Sequence, residues 1–586
     1  MTSIRLKGRK LQSKAQCSLI SCALVLSVVA LCLSPQRAFA VDSTPRNAVA
    51  GGITAEQFVP VVLSSPGEVG SFYTTELTIT NRGATAANVD LSYTARTNGS
   101  GSGASSIFIP PGQLIISDAI DYLKTLGLSI PDGGSQVGTL RAHFSNLNST
   151  SEVNILARTT TAVKDSGGTV VGRAGLAYPA LSLSGSGGTA ISQVNKGPRN
   201  LPSGVDLARP ASPLSGGFNN ESVVICGLRD NVFARSNVAF QNLGNAADGS
   251  ITLKTKVCPT DGNEFCEGSS EIVLAPGEFA QLGFMSGQYL GANGLMATVE
   301  RISGTALYYV YGVINDNKNS DGSFVPPFPI PQYPLPPTPV AGLTLPVIVQ
   351  TSAFSTELIL NPTFGDYNQS INFTFVSDAV TTSDHTAQFT IDLSEMIAYQ
   401  LIIPDIVDYM RFHSVAGIPP RGTHIAGALF ATASSGDIRG VFLGARTSAY
   451  GGSLGGLFGV FYTAVPYGQA SSTDAWLFGL QQNSENRTNL AIVNTGETDA
   501  SDATFVIDLY DGATGNLVKT LDPISLKAQG WMQIGSILTH APGVTQGYAH
   551  VRRTAGNNPF ITYAVINDGA DSGQRTGDGA YIASSQ

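Results

Sequence analysis

The chain has 586 residues, too many for one hydrophobic core; only 13% are charged, while Gly (65) and Pro (31) abound. That composition excludes a coiled coil or long helical bundle and points to short strands joined by many turns. A formal charge of −9 at pH 7 argues against nucleic acid or anionic membrane as a natural partner.

Residues 1–40 read as a secretory signal peptide. Arg5, Lys7, Arg9, Lys10 and Lys14 form a basic start, and Leu19 to Leu33 is nearly continuously apolar. Ala38-Phe39-Ala40 then supplies the small-x-small pattern of a cleavage site. The apolar run is too short for an anchor, so no membrane insertion is expected after cleavage. Cleavage after Ala40 removes these five basic residues and Arg37 but no acidic one, which takes the formal charge from −9 to −15. The expected location is secreted, extracellular or at the cell surface, with the periplasm as the other oxidising compartment.

Beyond the signal, the sequence repeats. Gly227-Leu228, Arg235-Ser236-Asn237-Val238-Ala239, Asn242-x-Gly244 and Tyr311-Gly312-Val313-Ile314-Asn315-Asp316 occur in that order. Gly479-Leu480, Arg487-Thr488-Asn489-Leu490-Ala491, Asn494-x-Gly496 and Tyr563-Ala564-Val565-Ile566-Asn567-Asp568 answer them, each offset by 252 positions. A second pair matches Phe72–Thr80 with Phe354–Leu360, Asp118–Leu123 with Asp405–Met410, and Ala157-Arg158-Thr159 with Ala445-Arg446-Thr447. The order is therefore A–B–A′–B′. In chain order we place sandwich A at 57–181, a Gly/Ser/Pro linker at 182–217 and sandwich B at 218–324. A Pro-rich linker at 325–340, sandwich A′ at 341–466 and sandwich B′ at 475–586 follow.

Within each unit the apolar period is two. Val89, Leu91 and Tyr93 alternate with polar neighbours, as do Ile251, Leu253 and Val257, then Ile371, Phe373 and Phe375, then Phe505, Ile507 and Leu509. The expected fold is all-β: four tandem immunoglobulin-like antiparallel β-sandwich domains, with one short helix in each A-type domain. In A the helix follows a cap at Ser117; in A′ Pro404 takes the first helical position. Asp118/Asp121 and Asp405/Asp408 then sit in the first turn and favour the helix dipole rather than a metal.

Three cysteines remain after cleavage. Cys258 and Cys266 bracket a turn-rich loop and are expected to form a disulfide, worth roughly 2–3 kcal/mol on the chain-entropy model. Cys226, on the run Val223-Val224-Ile225, reads as a buried small hydrophobe.

No catalytic constellation or cofactor-binding fingerprint emerges. Gly451-Gly452-Ser453-Leu454-Gly455 satisfies G-x-S-x-G but lies between strand-like runs without a following helix, so it reads as a hairpin. The six histidines are dispersed, with His143 and His550 on strand-like runs as solvent-face residues. Asn317, Asn319 and Asp321 alternate before Gly322 like the start of a calcium loop, but the closing Glu is missing and Lys318 sits among them, so an Asx-rich turn is the default reading and calcium the weaker one. The repeated Arg235/Arg487 and Arg158/Arg446 are expected to anchor loops or neighbouring domains. Trp476 and Trp531 mark B′ as the place for any stacking surface.

Residues 74–83 with 88–93, and 488–500 with 505–511, resemble the strand-and-turn pattern of immunoglobulin-like repeats in bacterial secreted and cell-surface proteins. The resemblance implies sandwiches in an extracellular setting with scaffolding or adhesive roles, and it transfers no functional residue. The resulting expectation is a non-enzymatic structural or adhesive rod whose partners are other envelope or extracellular proteins or glycans. A carbohydrate-binding or enzyme-accessory module is the alternative, and a secreted hydrolase a second one.

Overall fold

A computed structural model of the chain describes residues 52–183, 222–260, 267–283, 292–330, 338–362, 366–378, 386–396, 399–451 and 455–585. The signal-like segment lies outside the described residues. The described residues are all-β, with separate antiparallel sheets and two short α-helices, Ala119–Thr125 and Ile406–Phe412.

Every sheet is drawn from a single stretch: 53–182, 223–329, 342–466 or 474–583. Numbering strands by order within a stretch, the second and third stretches share one plan. Strands pair as 4-3-6-1-9 in one sheet and 5-2-7-8 in the other. The first stretch follows the same order, with its two sheets joined where Ser64–Pro66 pairs with Phe72–Thr74. The fourth keeps 5-2-7-8 and the 1-6-3-4 run, with a short extra strand, Ile524–Leu526. A-type and B-type sequences therefore share one strand order, and the helix of the A-type stretches sits between strands five and six.

The helix starts differ from expectation, by one residue in A and by two in A′. Asp118 is the N-cap, its carboxylate accepting from Asp121 N, and Asp405 does the same for Val407 N and Asp408 N. Ser117 and Pro404 therefore precede the caps. The short carboxylate side chain satisfies the otherwise orphaned N–H groups directly.

Alternation fails informatively in the seventh strands. Tyr308–Asp316 and Phe560–Asp568 are buried at every position. Tyr308, Val310 and Ile314 fill the core of their own stretch, while Tyr309, Tyr311 and Val313 join the core of the first stretch. At offset 252, Phe560, Ala564 and Ile566 face inward, and Ile561, Tyr563 and Val565 join the core of the third. A strand buried on both faces needs a continuous apolar run, and these two have one. Matching ring clusters seal both contacts: Tyr178, Tyr311 and Phe324 in one, Tyr462, Tyr563 and Tyr581 in the other.

A linear rod would keep the first and fourth stretches apart. Instead Leu156 and Ala177 belong to the core of the fourth, as Ile359, Phe442 and Phe461 of the third belong to that of the second. The four stretches thus contact one another in a closed cycle, and the rod expected from the sequence is replaced by this closure. The onset of the Pro-rich segment also departs from a free spacer: Phe328–Pro329 pairs with Val223–Val224, and Phe328 packs edge-on against Phe442.

Gly227 and Gly479, the first residues of the repeat motif, explain part of the closure. Each sits at a bulge in strand one with φ of +77° and +75°. Each donates its N–H across the contact, to Gln400 Oε1 at 2.8 Å and to Gln113 Oε1 at 2.9 Å. A Cβ there would lie 2.7 Å from Ile359 Cδ1 or from Leu156 Cδ2. Gly227→Ala and Gly479→Ala should each cost about 1–3 kcal/mol through left-handed strain and overpacking. Urea denaturation of the two single variants checks this, and an unchanged midpoint would refute the role.

Candidate functional site: a carboxyl pair among four edge strands

The eighth strand is a sheet edge in every stretch: Val170–Pro179, Gly322–Val325, Leu457–Thr463 and Gly579–Ala583. An edge strand carries N–H groups with no ladder partner, and burying them unpaired costs about 1–3 kcal/mol each. These four edges are nonetheless buried against one another. The first and third each contact both the second and the fourth.

Aspartates supply the missing acceptors. Asp316 and Asp568 close the seventh strands, and Asp321 and Asp578 immediately precede the eighth. The intervening loop is five residues longer in the fourth stretch, since 578 − 321 is 257 rather than 252. Arg173 N donates to Asp568 Oδ2 at 3.1 Å and Gly175 N to Asp578 Oδ2 at 2.8 Å. Leu457 N donates to Asp316 Oδ2 at 2.9 Å and Gly459 N to Asp321 Oδ2 at 2.7 Å. Residues two apart on a strand point their N–H groups the same way, so two carboxylates cap one edge.

At the centre the Asp321 and Asp578 carboxyls meet side by side, with exposures of 0% and 6%. Burial pushes both upward from the usual carboxylate range. Asp321 is held back chiefly by the Arg446 guanidinium and the Gly459 N–H, while the Asp321 charge raises Asp578 further. Two carboxyls in one dry site disfavour each other's charge, so the pair takes up a proton more readily than free aspartates do. Such a pair has acid–base character, but catalysis needs a substrate atom within hydrogen-bond reach. Here Asp578 Oδ1 accepts from Gly579 N at 2.8 Å, Asp578 Oδ2 from Gly175 N at 2.8 Å and Asp321 Oδ2 from Gly459 N at 2.7 Å, while Asp321 Oδ1 is buried without a hydrogen-bond partner. The arrangement clamps strands.

The repeated arginines complete the clamp. Arg446 Nε donates to Ser323 Oγ at 2.8 Å, and Arg158 Nη1 to Asn486 Oδ1 at 2.9 Å, both across stretches. Glu357, opposite Arg446 in its sheet, pairs with Arg229 at 2.5 Å, and Glu76, opposite Arg158, accepts from Gln481 at 2.8 Å. Arg235 and Arg487 work locally, donating to the Asp316 carbonyl and to those of Gly569 and Asp571.

The calcium candidates lie in the same clamp. Asn317 Oδ1 accepts from Arg235, Asn319 Oδ1 from Asp321 N, and Asp321 Oδ2 from Gly459 N. Each of these oxygens is turned to an N–H donor. Asn319 Nδ2 reaches the carbonyls of Gly455 and Leu457, so the loop docks on the third stretch. Among the described residues no cluster of three or more His, Cys, Asp or Glu is poised for a metal. Cys226 is a free buried thiol, pushed upward by desolvation, and Cys258 is disulfide-bonded; Cys266 lies outside the described residues. Ser453 also lies outside them, but Tyr450 pairs with Leu457 across an antiparallel hairpin, as expected for that segment.

Both tryptophans are buried. Trp531 donates Nε1–H to Tyr563 Oη at 3.3 Å. Trp476 stacks on His550 at 3.9 Å, with the Arg82 guanidinium of the first stretch 4.4 Å from its ring. His143 is exposed on its strand, whereas His550 bonds Asp474 at 2.8 Å and is held below its ordinary range by burial. Sequence reasoning missed this cluster, because the cross-strand pairing of Trp476 with His550 is set by register alone.

A carboxyl whose folded pKa exceeds its unfolded value stabilises at low pH and loses that stability as pH rises. Stability is therefore expected to fall between pH 4 and about 7, the value to which Asp321 is raised. Asp321→Asn keeps an acceptor for Gly459 N and offers Asp578 a donor, so this slope should flatten, by about 1–3 kcal/mol across the window. Chemical denaturation at several pH values reads the slope; an identical slope in the variant would remove this account. Intact-mass measurement after alkylation without reductant should find one alkylated thiol in the chain cleaved after Ala40, and three would exclude the Cys258–Cys266 bridge.

No protein-family model matches the chain, and no curated protein sequence matches it.

Proposed function

We propose that the protein is an exported, non-enzymatic structural or adhesive protein of four immunoglobulin-like sandwiches, acting at or outside the cell envelope. Its partners on this reading are other envelope or extracellular proteins or glycans. One observation carries it: the repeated ionisable residues are spent on joining stretches. Asp316, Asp321, Asp568 and Asp578 cap neighbouring edges, and Arg158 and Arg446 bridge contacts. A scaffold uses charge this way, whereas a reaction centre keeps it open to solvent and substrate.

The sandwich count rests on one strand order found four times, and the immunoglobulin-like label on paired antiparallel sheets of short strands. Export rests on the basic, apolar and small-residue succession of residues 1–40. Fractionation of expressing cells should place the chain outside the cytoplasm with Val41 as its first residue. Purified protein should be retained on cell-envelope preparations and leave ester, peptide and glycoside substrates unchanged. Turnover abolished by Asp578→Asn would overturn the non-enzymatic reading, and a cytoplasmic chain that keeps Met1 would overturn export.

A further inference from the structure

The two halves repeat their contacts but differ at one corner. In the first stretch, strands one and two pair at their ends, Ser64 with Thr74, Ser65 with Tyr73 and Pro66 with Phe72. The turn between them, with a 3-10 segment at Glu68–Gly70, folds over Tyr73. Gly67 lies so close to that ring that a Cβ would stand 2.5 Å from Tyr73 Cε2. Tyr73 Oη donates to the Ser320 carbonyl at 2.5 Å, and Ser320 Oγ donates to the Glu68 carbonyl at 3.3 Å. The turn thus closes the contact between the first and second stretches.

In the third stretch the residue equivalent to Tyr73 is Phe354, not the Phe72 match that the sequence suggests. Both stand three positions from a Glu–Arg pair, Glu76 with Arg158 and Glu357 with Arg446. Here strands one and two belong to separate sheets and are joined only through Thr351–Ala353, with Thr351 N bonded to the Phe354 carbonyl at 2.9 Å. Among the described residues none corresponds to 66–71 in covering the ring, and Phe354 is 38% exposed. A cavity of about 410 Å³ opens there between the third and fourth stretches. Val349, Thr351 and Phe354 line one side and Trp531 and Gln533 the other, with His424 at the rim. Asp378, Arg487 and Asp578 also line it, and Gln533 and His424 are exposed.

We propose that this cleft receives a glycine- or proline-bearing turn of a partner chain, seated on Phe354 as residues 66–71 are seated on Tyr73 in the first half. The first half supplies the template: a Pro-Gly backbone on an aromatic face, with a peptide carbonyl bonded to the facing loop. Gln533 and His424 offer side-chain donors for such carbonyls, and the ring offers the apolar seat. The inference rests on the reading of the protein as one that binds other proteins, and it names where.

The probe is a fluorescein-labelled peptide copying residues 63–74, titrated into the full chain and followed by anisotropy. Saturable one-to-one binding is expected, weakened about tenfold or more by Phe354→Ala, whose exposed side chain leaves the cores intact. A second variant, in which residues 350–354 are replaced by residues 64–73, closes the cleft in cis and should abolish binding. No binding to the parent, or equal binding to the closed variant, would overturn the proposal. So would Phe354-dependent uptake of a chito-oligosaccharide in place of the peptide. Envelope binding by the whole protein that survives Phe354→Ala would remove the cleft and leave the adhesive reading standing.

Discussion

The architecture turns on the unpaired backbone of a sheet edge. Each stretch ends its smaller sheet with an eighth strand whose outward N–H groups have no ladder partner, and the chain buries all four such strands. For the first and third stretches, carboxylates of the fourth and second replace the missing strand as acceptors. Without these aspartates the edges would need water, and the tyrosine clusters packed behind them would lose their dry surroundings. The central carboxyl pair is the cost of the arrangement: capping both A-type edges brings two acids together, and uptake of a proton eases their repulsion.

Much of this was legible in the sequence. The period-two alternation around Leu91, Leu253, Phe373 and Ile507 gave the strands correctly, because sandwich strands hide one face and wet the other. The offset of 252 positions located the residues that matter at the contacts, including Gly227/Gly479 and Asp316/Asp568. The unalternating runs at Tyr308–Asp316 and Phe560–Asp568 served only as repeat matches, and their burial on two sides came from the fold. The arginine expectation also holds at the level of contacts, since Arg235 and Arg487 bond loop carbonyls and Arg158 and Arg446 reach across stretches.

What was illegible has a common physical origin. Asp321 looked like a cation ligand because alternating oxygens before a glycine suit calcium as well as they suit an edge strand; the difference lies in what faces them, some 140 residues away. The pairing of Asp321 with Asp578 was hidden by the five-residue insertion that breaks the constant offset. The rod expectation followed from linkers and repeats, which carry no information on whether the last unit returns to the first. The first helix cap moved from Ser117 to Asp118 because Ser and Asp both cap well, and local backbone geometry decides between them.

Closure of the cycle also changes what dilution can do. The contacts between the first and fourth stretches repeat those between the third and second, so each half offers the surface that the other half needs. Were the halves separate molecules, the same surfaces would meet only as a two-body equilibrium, favoured at high concentration and lost at low. One continuous chain fixes the halves at an effective concentration in about the millimolar range, whatever the bulk concentration. The assembled form therefore does not depend on how dilute the chain is.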